Sequence, residues 1–200
     1  GRHARRLALA AVPAGLVVAA AVTAGVWGRG AALGYELGAW PPPLGIALRA
    51  DGLSAAILLT TALVIAAAAL FARADFAREA VESRASFLFW PLLLTVWSGL
   101  NAVFVANDLF HLFVALELLT FGAVPMVCLG GSPATVSAAL RYLLFALLGS
   151  MLYLLGTGLV YGAYGTLDIT LLAERVRVEP AARVAVAVMT AGLLAKMALF

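Results

Sequence analysis

The chain has 200 residues, of which 64% are apolar and 12% are charged, about half the charged fraction of an ordinary soluble domain. Its formal net charge is +3, from 13 Lys and Arg against 10 Asp and Glu, and Lys196 is its only lysine. This composition excludes an ordinary soluble enzyme, a disordered tail and a nucleic-acid-binding protein. It predicts an all-α, polytopic membrane protein.

Six apolar segments are long enough to cross a hydrocarbon core that is ~30 Å thick. They are residues 7–27, 53–72, 87–106, 109–129, 138–161 and 184–200. The first segment follows three arginines, as in a signal peptide, but its length and the five segments behind it favour a membrane helix. Seven arginines lie on the same side of the membrane as the N-terminus, and five lie on the opposite side. This weak bias places the N-terminus in the cytoplasm.

Two of the connecting segments are predicted to be structured. Three consecutive prolines, at positions 41–43, exclude a helix in the loop over 28–52, and residues 44–48 are predicted to be extended. Asp51 or Ser54 is predicted to cap the second span. Residues 166–178 predict a short interfacial helix with Asp168 as its N-cap, and an irregular loop is the alternative.

Small residues and one proline shape the predicted packing of the later spans. Gly158 and Gly162 form a GxxxG pattern, to which Gly149 and Gly156 add further small residues. Such patterns let two helix backbones approach closely. Pro125 is predicted to kink the fourth span, because its ring removes a hydrogen bond from the helix interior.

The sequence predicts no cofactor and no metal site in this chain. Its single cysteine, Cys128, allows no intrachain disulfide, multi-cysteine zinc site or iron–sulfur cluster. Walker A, dinucleotide-binding and His-Glu-x-x-His patterns are absent from the sequence. The first residue is Gly, not Met, and the last lies in an apolar run, which predicts a fragment of a longer protein.

Only two charged residues lie deep inside predicted spans. Glu117 is eight residues into the fourth span, ~12 Å deep, and Lys196 is twelve residues into the last span, ~18 Å deep. A charge at such a depth costs ~2.5–3.5 kcal/mol on insertion scales. Neither residue has an opposite charge three or four positions away, so each needs a partner on another helix. We predict a role in a proton or ion path, with a helix-orienting ion pair as the alternative.

Three further polar residues are accessory candidates. Asp108 is predicted to be the N-cap of the fourth helix, aided by Asn107. His111 is two residues into that helix, which favours an interfacial histidine over a proton relay. Arg141 lies near the start of its span and is predicted to be a cytoplasmic-edge anchor or a carboxylate partner.

Three segments carry a resemblance to a known family: NDLFHLFVALELLTFGAVPMVCLGG at 107–131, RYLLFALLGSMLYLLGTGLVYGAYGTL at 141–167 and GLLAKMALF at 192–200. They resemble the antiporter-like subunits that Mrp sodium/proton antiporters, respiratory complex I and membrane-bound hydrogenases share. The loop LGAWPPPLGIALRADGLSA at 37–55 is most similar to the Mrp-type members.

The resemblance implies a longer parent protein built from two inverted five-helix units, each with a half-channel. This chain would hold most of the first unit and lack the family's first helix and its second unit. Glu117 matches the acidic residue of the family's fifth helix, and Lys196 matches the lysine of its broken seventh helix. Pro125 departs from the small or aliphatic residue expected at its position.

The function implied is translocation of protons, or exchange of sodium for protons, in an Mrp-type antiporter or an NADH-quinone oxidoreductase or hydrogenase complex. The implied partners are the lipid bilayer, other hydrophobic subunits, H⁺ and Na⁺, in a bacterial-type plasma membrane. Residues 1–106 would be supporting helices, and residues 107–200 would form the proton channel. The alternative is a purely structural subunit of an oxidoreductase complex, in which Glu117 and Lys196 only lock the helices.

Overall fold

A computed structural model describes residues 2–76, 83–177 and 179–197. Within these ranges the chain is almost entirely helical, with one short β-hairpin. The helices are α1 (Arg2–Arg29), α2 (Gly52–Phe76), α3 (Arg84–Phe104), α4 (Leu109–Val127), α5 (Pro133–Tyr164), α6 (Ile169–Arg175) and α7 (Pro180–Lys196), and the strands are β1 (Leu33–Glu36) and β2 (Ala47–Ala50). The expectation of an all-α membrane bundle is confirmed.

Five helices, α1 to α5, are long and apolar enough to cross a membrane, which makes the chain an integral multi-pass membrane protein. The sixth predicted span, 184–200, corresponds to α7, which begins four residues earlier, at Pro180. The described part of α7 has 17 residues, about 26 Å of helix. Residues 198–200 of that predicted span lie outside the described residues.

The starts of α2 and α5 can be compared with the predictions. Asp51 accepts a hydrogen bond from the backbone N–H of Ser54 at 2.9 Å, and this bond lowers the pKa of its carboxyl below the usual range. Of the two caps proposed for α2, the structure therefore selects Asp51. Helix α5 begins at Pro133, five residues before the predicted start, because proline at the first helical position favours helix initiation.

The loop over 28–52 contains the hairpin, with β1 and β2 antiparallel and Tyr35 opposite Leu48. Strand β2 begins three residues later than the predicted extended segment. The hairpin is anchored on the chain that follows α3, because the backbone N–H of Arg49 donates to the carbonyl of Val105 at 2.9 Å. It lies at the end of the bundle where α4 begins.

Helices α1, α2 and α3 share one apolar core, centred on the buried rings of Trp90 and Trp97. Thr23 of α1 donates its hydroxyl to the carbonyl of Ala55 of α2 at 3.1 Å, which adds an interhelical hydrogen bond. Helix α4 packs against α3 on one side and against α5 on the other. It therefore joins this core to the α5–α7 pair.

Helices α5 and α7 pack backbone to backbone through glycines. A Cβ added at Gly149 would lie 2.6 Å from the carbonyl oxygen of Gly192, and one at Gly156 would lie 2.7 Å from that of Ala185. Both distances are too short for a real side chain, so glycine is required there. The GxxxG pattern of Gly158 and Gly162 has no such role, because both positions face open space among the described residues.

A polar cluster, in which Asn107 and Asp168 are buried and Thr170 is exposed, joins the start of α4 to the start of α6. Asp168 accepts from the backbone N–H of Leu171, as predicted for the cap of α6, and also from Nδ2 of Asn107 at 2.8 Å. Thr170 donates to Oδ1 of Asn107 at 3.3 Å. The sequence predicts that Asn107 aids the cap of α4. In the structure Asn107 instead bonds to Asp168 and Thr170, at the start of α6. We call Asn107, Asp168 and Thr170 the clasp.

Two backbone hydrogen bonds complete the junction at the clasp. The N–H of Leu109 donates to the carbonyl of Leu167 at 3.0 Å, and that of Ile169 donates to the carbonyl of Asn107 at 2.8 Å. The short interfacial helix predicted over 166–178 corresponds to α6, which spans Ile169–Arg175. Val178 lies outside the described residues. This junction fixes where α4 enters the bundle.

Replacing Gly149 by Val should destabilise the protein, because the added methyl groups would collide with the backbone of α7. Overpacking of this kind costs typically ~1–3 kcal/mol. Thermal unfolding of the detergent-purified protein measures the loss. Gly158→Val is the matched control on the same helix and should unfold close to the native temperature. Equal effects from the two variants would contradict the assigned packing.

Replacing Asn107 by Ala should cost about 1–3 kcal/mol of unfolding free energy, because the buried Asp168 carboxylate loses a donor. Thr170→Val removes the hydrogen bonds between the hydroxyl of an exposed residue and Asn107 but leaves the bond from Asn107 to Asp168, and it should cost less. Denaturant titration in micelles compares the two variants. A larger loss from the Thr170 variant would show that the clasp is not organised around the carboxylate.

Candidate functional site: a buried glutamate, serine and lysine

The two deep charges lie near the middle of the bundle. Glu117 is one residue from the centre of the 19-residue helix α4. Ser150 is close to the centre of the 32-residue helix α5, which is about 48 Å long and so exceeds the ~30 Å hydrocarbon core. Lys196 reaches the same level from the last described turn of α7. Three different helices therefore bring polar side chains to the same level of the bundle.

The three side chains are in direct contact. Nζ of Lys196 lies 2.6 Å from Oε1 of Glu117 and 2.7 Å from Oγ of Ser150. The hydroxyl of Ser150 also donates to Oε1 of Glu117. Only 11% of the Lys196 side chain and 14% of the Glu117 side chain are exposed, and Ser150 is 2% exposed. We call these residues the relay cluster.

Each charged group of the relay cluster depends on the other two residues for its hydrogen bonds. A single buried ion would carry a large desolvation penalty, and a buried pair offsets that penalty only when hydrogen bonds satisfy its remaining polar atoms. Here Ser150 supplies an acceptor for the ammonium and a donor for the carboxylate. Removing any member would leave another with fewer partners in an apolar setting.

A cavity of about 360 Å³ adjoins Lys196 between α4, α5 and α7. Its walls are mainly apolar, and its polar groups besides Lys196 come from Thr120 and Tyr142. The Thr120 hydroxyl is already bonded to the carbonyl of Leu116 in its own helix. Among the described residues, the lysine side chain thus has open space beside it as well as a bonded position on Glu117.

On the other side of Ser150, helix α5 places a buried tyrosine one turn further on. Tyr153 is 2% exposed and donates its hydroxyl to the carbonyl of Leu109 at 3.3 Å, at the start of α4. Thr157, two turns from Ser150, donates to the carbonyl of Tyr153. A buried polar face of α5 therefore runs from the relay cluster toward the clasp.

Of the predicted site residues, the structure brings Glu117 and Lys196 together and leaves the accessory candidates apart. Asp108 accepts from the backbone N–H groups of Phe110 and His111, so it caps α4 as predicted. Arg141 is exposed and forms no ion pair with any described residue.

His111 lies six residues before Glu117, at the N-terminal end of α4, and is half-buried. Its Nδ1 atom is buried and has no hydrogen-bond partner among the described residues. The histidine is thus outside the relay cluster.

Ser150 was not predicted from the sequence, because a lone serine in an apolar helix is common and has no motif of its own. Its one signal is the spacing of Ser150, Tyr153 and Thr157, which lie on one face at intervals of three and four residues. The clasp was missed for a related reason. Asn107 and Asp168 are 61 residues apart, and each is adequately explained by local capping alone.

Comparison with known proteins identifies the family of this chain. Residues 106–200 match the family described as NADH:quinone oxidoreductase/Mrp antiporter, TM. A probable K(+)/H(+) antiporter subunit from Rhizobium meliloti (strain 1021) is 36% identical over 167 residues, which cover 83% of this chain and 29% of that protein. An NADH-quinone oxidoreductase subunit from Desulforudis audaxviator (strain MP104C) is 34% identical over 199 residues, or 98% of this chain and 39% of that protein.

A solved structure shows the same fold. In the Mrp complex from Dietzia sp. DQ12-45-1b, one chain superposes with a TM-score of 0.80 at 28% sequence identity, covering 96% of this chain and 36% of its own length. The chain thus spans less than half the length of the relatives it matches. It belongs to the family of antiporter-like membrane subunits that Mrp antiporters and NADH-quinone oxidoreductases share.

Proposed function

We propose that this chain translocates protons, with Lys196 as the group that holds and releases the proton and Glu117 as the carboxylate that controls its charge. The observation that carries the proposal is the contact of 2.6 Å between these two side chains in the middle of the bundle. Ionisable residues at membrane depth are rare and mark proton and ion paths.

The chemistry follows from the distance between the two groups. While Glu117 contacts Lys196, the carboxylate stabilises the ammonium form, because opposite charges attract strongly in an apolar medium. When the two groups separate, the ammonium loses that stabilisation and its neutral form becomes easier to reach. Alternation between contact and separation therefore loads and unloads a proton.

The packing of α5 on α7 argues against a purely structural role for the pair. Gly149, Gly156 and Gly192 already hold the two helices in backbone contact. An ion pair between α4 and α7 adds a desolvation penalty that an apolar pair of similar size would avoid. A titratable pair at this place is better explained by a function that uses its charge.

The relatives suggest the setting of the activity. One is named as a subunit of a K(+)/H(+) antiporter and another as a subunit of an NADH-quinone oxidoreductase. We propose that this chain works in a complex of one of these kinds, with other hydrophobic subunits and the lipid bilayer around it. H⁺ is the proposed transported ion, and Na⁺ is the proposed exchanged ion in an Mrp-type assembly.

Within the chain, we propose that residues 107–200 form the proton-path unit and residues 1–106 form the supporting unit. The relay cluster lies in the proton-path unit, and the family match begins at residue 106. The supporting unit contributes the core of α1, α2 and α3 and the hairpin.

Replacing Lys196 by Ala in the full-length protein should abolish proton transport, because no other lysine is present in this part of the chain. Lys196→Arg is the sharper variant. Arginine keeps the positive charge and the ion pair but cannot release a proton at any physiological pH. Transport by both variants should fall to background in proteoliposomes that report internal pH with a dye.

Arg141→Ala is the matched control for the loss of a positive charge, because Arg141 is exposed and unpaired among the described residues. It should transport within about twofold of the native rate, as surface substitutions rarely have large effects. Near-normal transport by Lys196→Ala would overturn the proposal. Near-normal transport by Lys196→Arg, with loss in Lys196→Ala, would favour a structural ion pair.

A further inference from the structure

The hydroxyl of Ser150 has more acceptors than hydrogens. Its Oγ atom lies within hydrogen-bond distance of the Glu117 carboxylate and, at 3.0 Å, of the Ala146 carbonyl in its own helix. Its third neighbour, Nζ of Lys196 at 2.7 Å, can only donate while it is charged. The single hydroxyl hydrogen must therefore choose between Glu117 and Ala146.

The charge of Glu117 decides this choice. A hydrogen bond to an ionised carboxylate is roughly twice as strong as one to a neutral carbonyl. The hydrogen thus points to Glu117 while that residue is ionised. When the carboxylate takes up a proton or moves away, the hydroxyl can turn back to the carbonyl of Ala146, a common bond for serine in helices. Ser150 is therefore never left as a buried donor without a partner.

The backbone packing confines the change to side chains. A Cβ added at Gly149 would lie 2.9 Å from the backbone nitrogen of Lys196, so α7 is in close contact with α5 at this level. The cavity of about 360 Å³ beside Lys196 provides space for its side chain. The ammonium can thus leave Glu117 while its helix stays in place.

We infer that Ser150 is a positioning residue of the proton relay, whose hydroxyl bridges Lys196 and Glu117 while the pair is closed and donates to Ala146 once the pair has opened. The inference rests on the proposed function and adds a third member to it. It explains why the pair can open without the buried Ser150 hydroxyl losing its last acceptor.

The charged and titratable groups around Ser150 are few. Among the described residues, those in contact with it are Glu117 from α4 and Lys196 from α7. The nearest further ones on its own helix are Tyr142, which lines the cavity beside Lys196, and Tyr153, which is bonded to Leu109. A shift in the pH profile caused by a Ser150 variant therefore reports on the relay cluster.

The test compares Ser150→Ala with the native protein in proteoliposomes, across a range of external pH. Transport should fall about tenfold or more, since hydrogen bonds to both charged groups are lost. The pH of half-maximal transport should move by about 0.5 to 1 unit. Ser150→Thr keeps the hydroxyl and should restore both the rate and the pH profile.

Thr157→Val is the matched control, because Thr157 is buried on the same helix and donates its hydroxyl to the carbonyl of Tyr153, outside the relay cluster. Its pH profile should be unchanged. If Ser150→Ala fails to accumulate, Ser150→Cys preserves the side-chain volume with a weak donor and should show an intermediate rate and a shifted profile.

Two outcomes would overturn the inference while the proposed function stands. One is native rate and pH profile in Ser150→Ala, with transport abolished in Lys196→Arg. The other is a lowered rate in Ser150→Ala with an unshifted profile, which would show a packing role only. Normal transport in Lys196→Arg would instead refute the proposed function itself.

Discussion

The second half of this chain must keep two opposite charges bonded to each other inside an apolar bundle. Glu117 and Lys196 are 79 residues apart, and each alone would destabilise its helix at membrane depth. Their contact requires that α4 and α7 come within side-chain reach on either side of α5. The site therefore depends on the convergence of three helices.

Glycine is the means by which the helices meet this requirement. Because Gly149 and Gly192 carry no side chains, the backbones of α5 and α7 touch, and the lysine enters the bundle close to Ser150. A larger residue at either position would move α7 outward, and with it the ammonium. The small residues of α5 thus serve the geometry of the relay cluster as well as the stability of the bundle.

Much of this arrangement can be predicted from local sequence. Apolar length identifies the five long helices, Asp108 and Asp168 identify helix starts, and the depth of Glu117 and Lys196 identifies the pair. Each of these signals depends on a residue and its near neighbours.

The features that escaped prediction depend on partners distant in sequence. The role of Ser150 depends on two charges on other helices, and the role of Asn107 depends on Asp168. The glycine pattern shows the same limit. A GxxxG spacing marks a face that could receive a helix, but the position of α7 decides which glycines are used, and it uses Gly149 and Gly156 instead of Gly158 and Gly162.

The clasp gives helix α4 a fulcrum. Asn107 is held to Asp168 at one end of the helix, and Glu117 lies ten residues further along, a lever arm of about 15 Å. A tilt of about 4° around that fulcrum displaces the carboxylate by about 1 Å along such an arm. Since the hairpin is bonded to Val105, two residues before Asn107, this exposed loop contacts the chain next to the fixed end of α4.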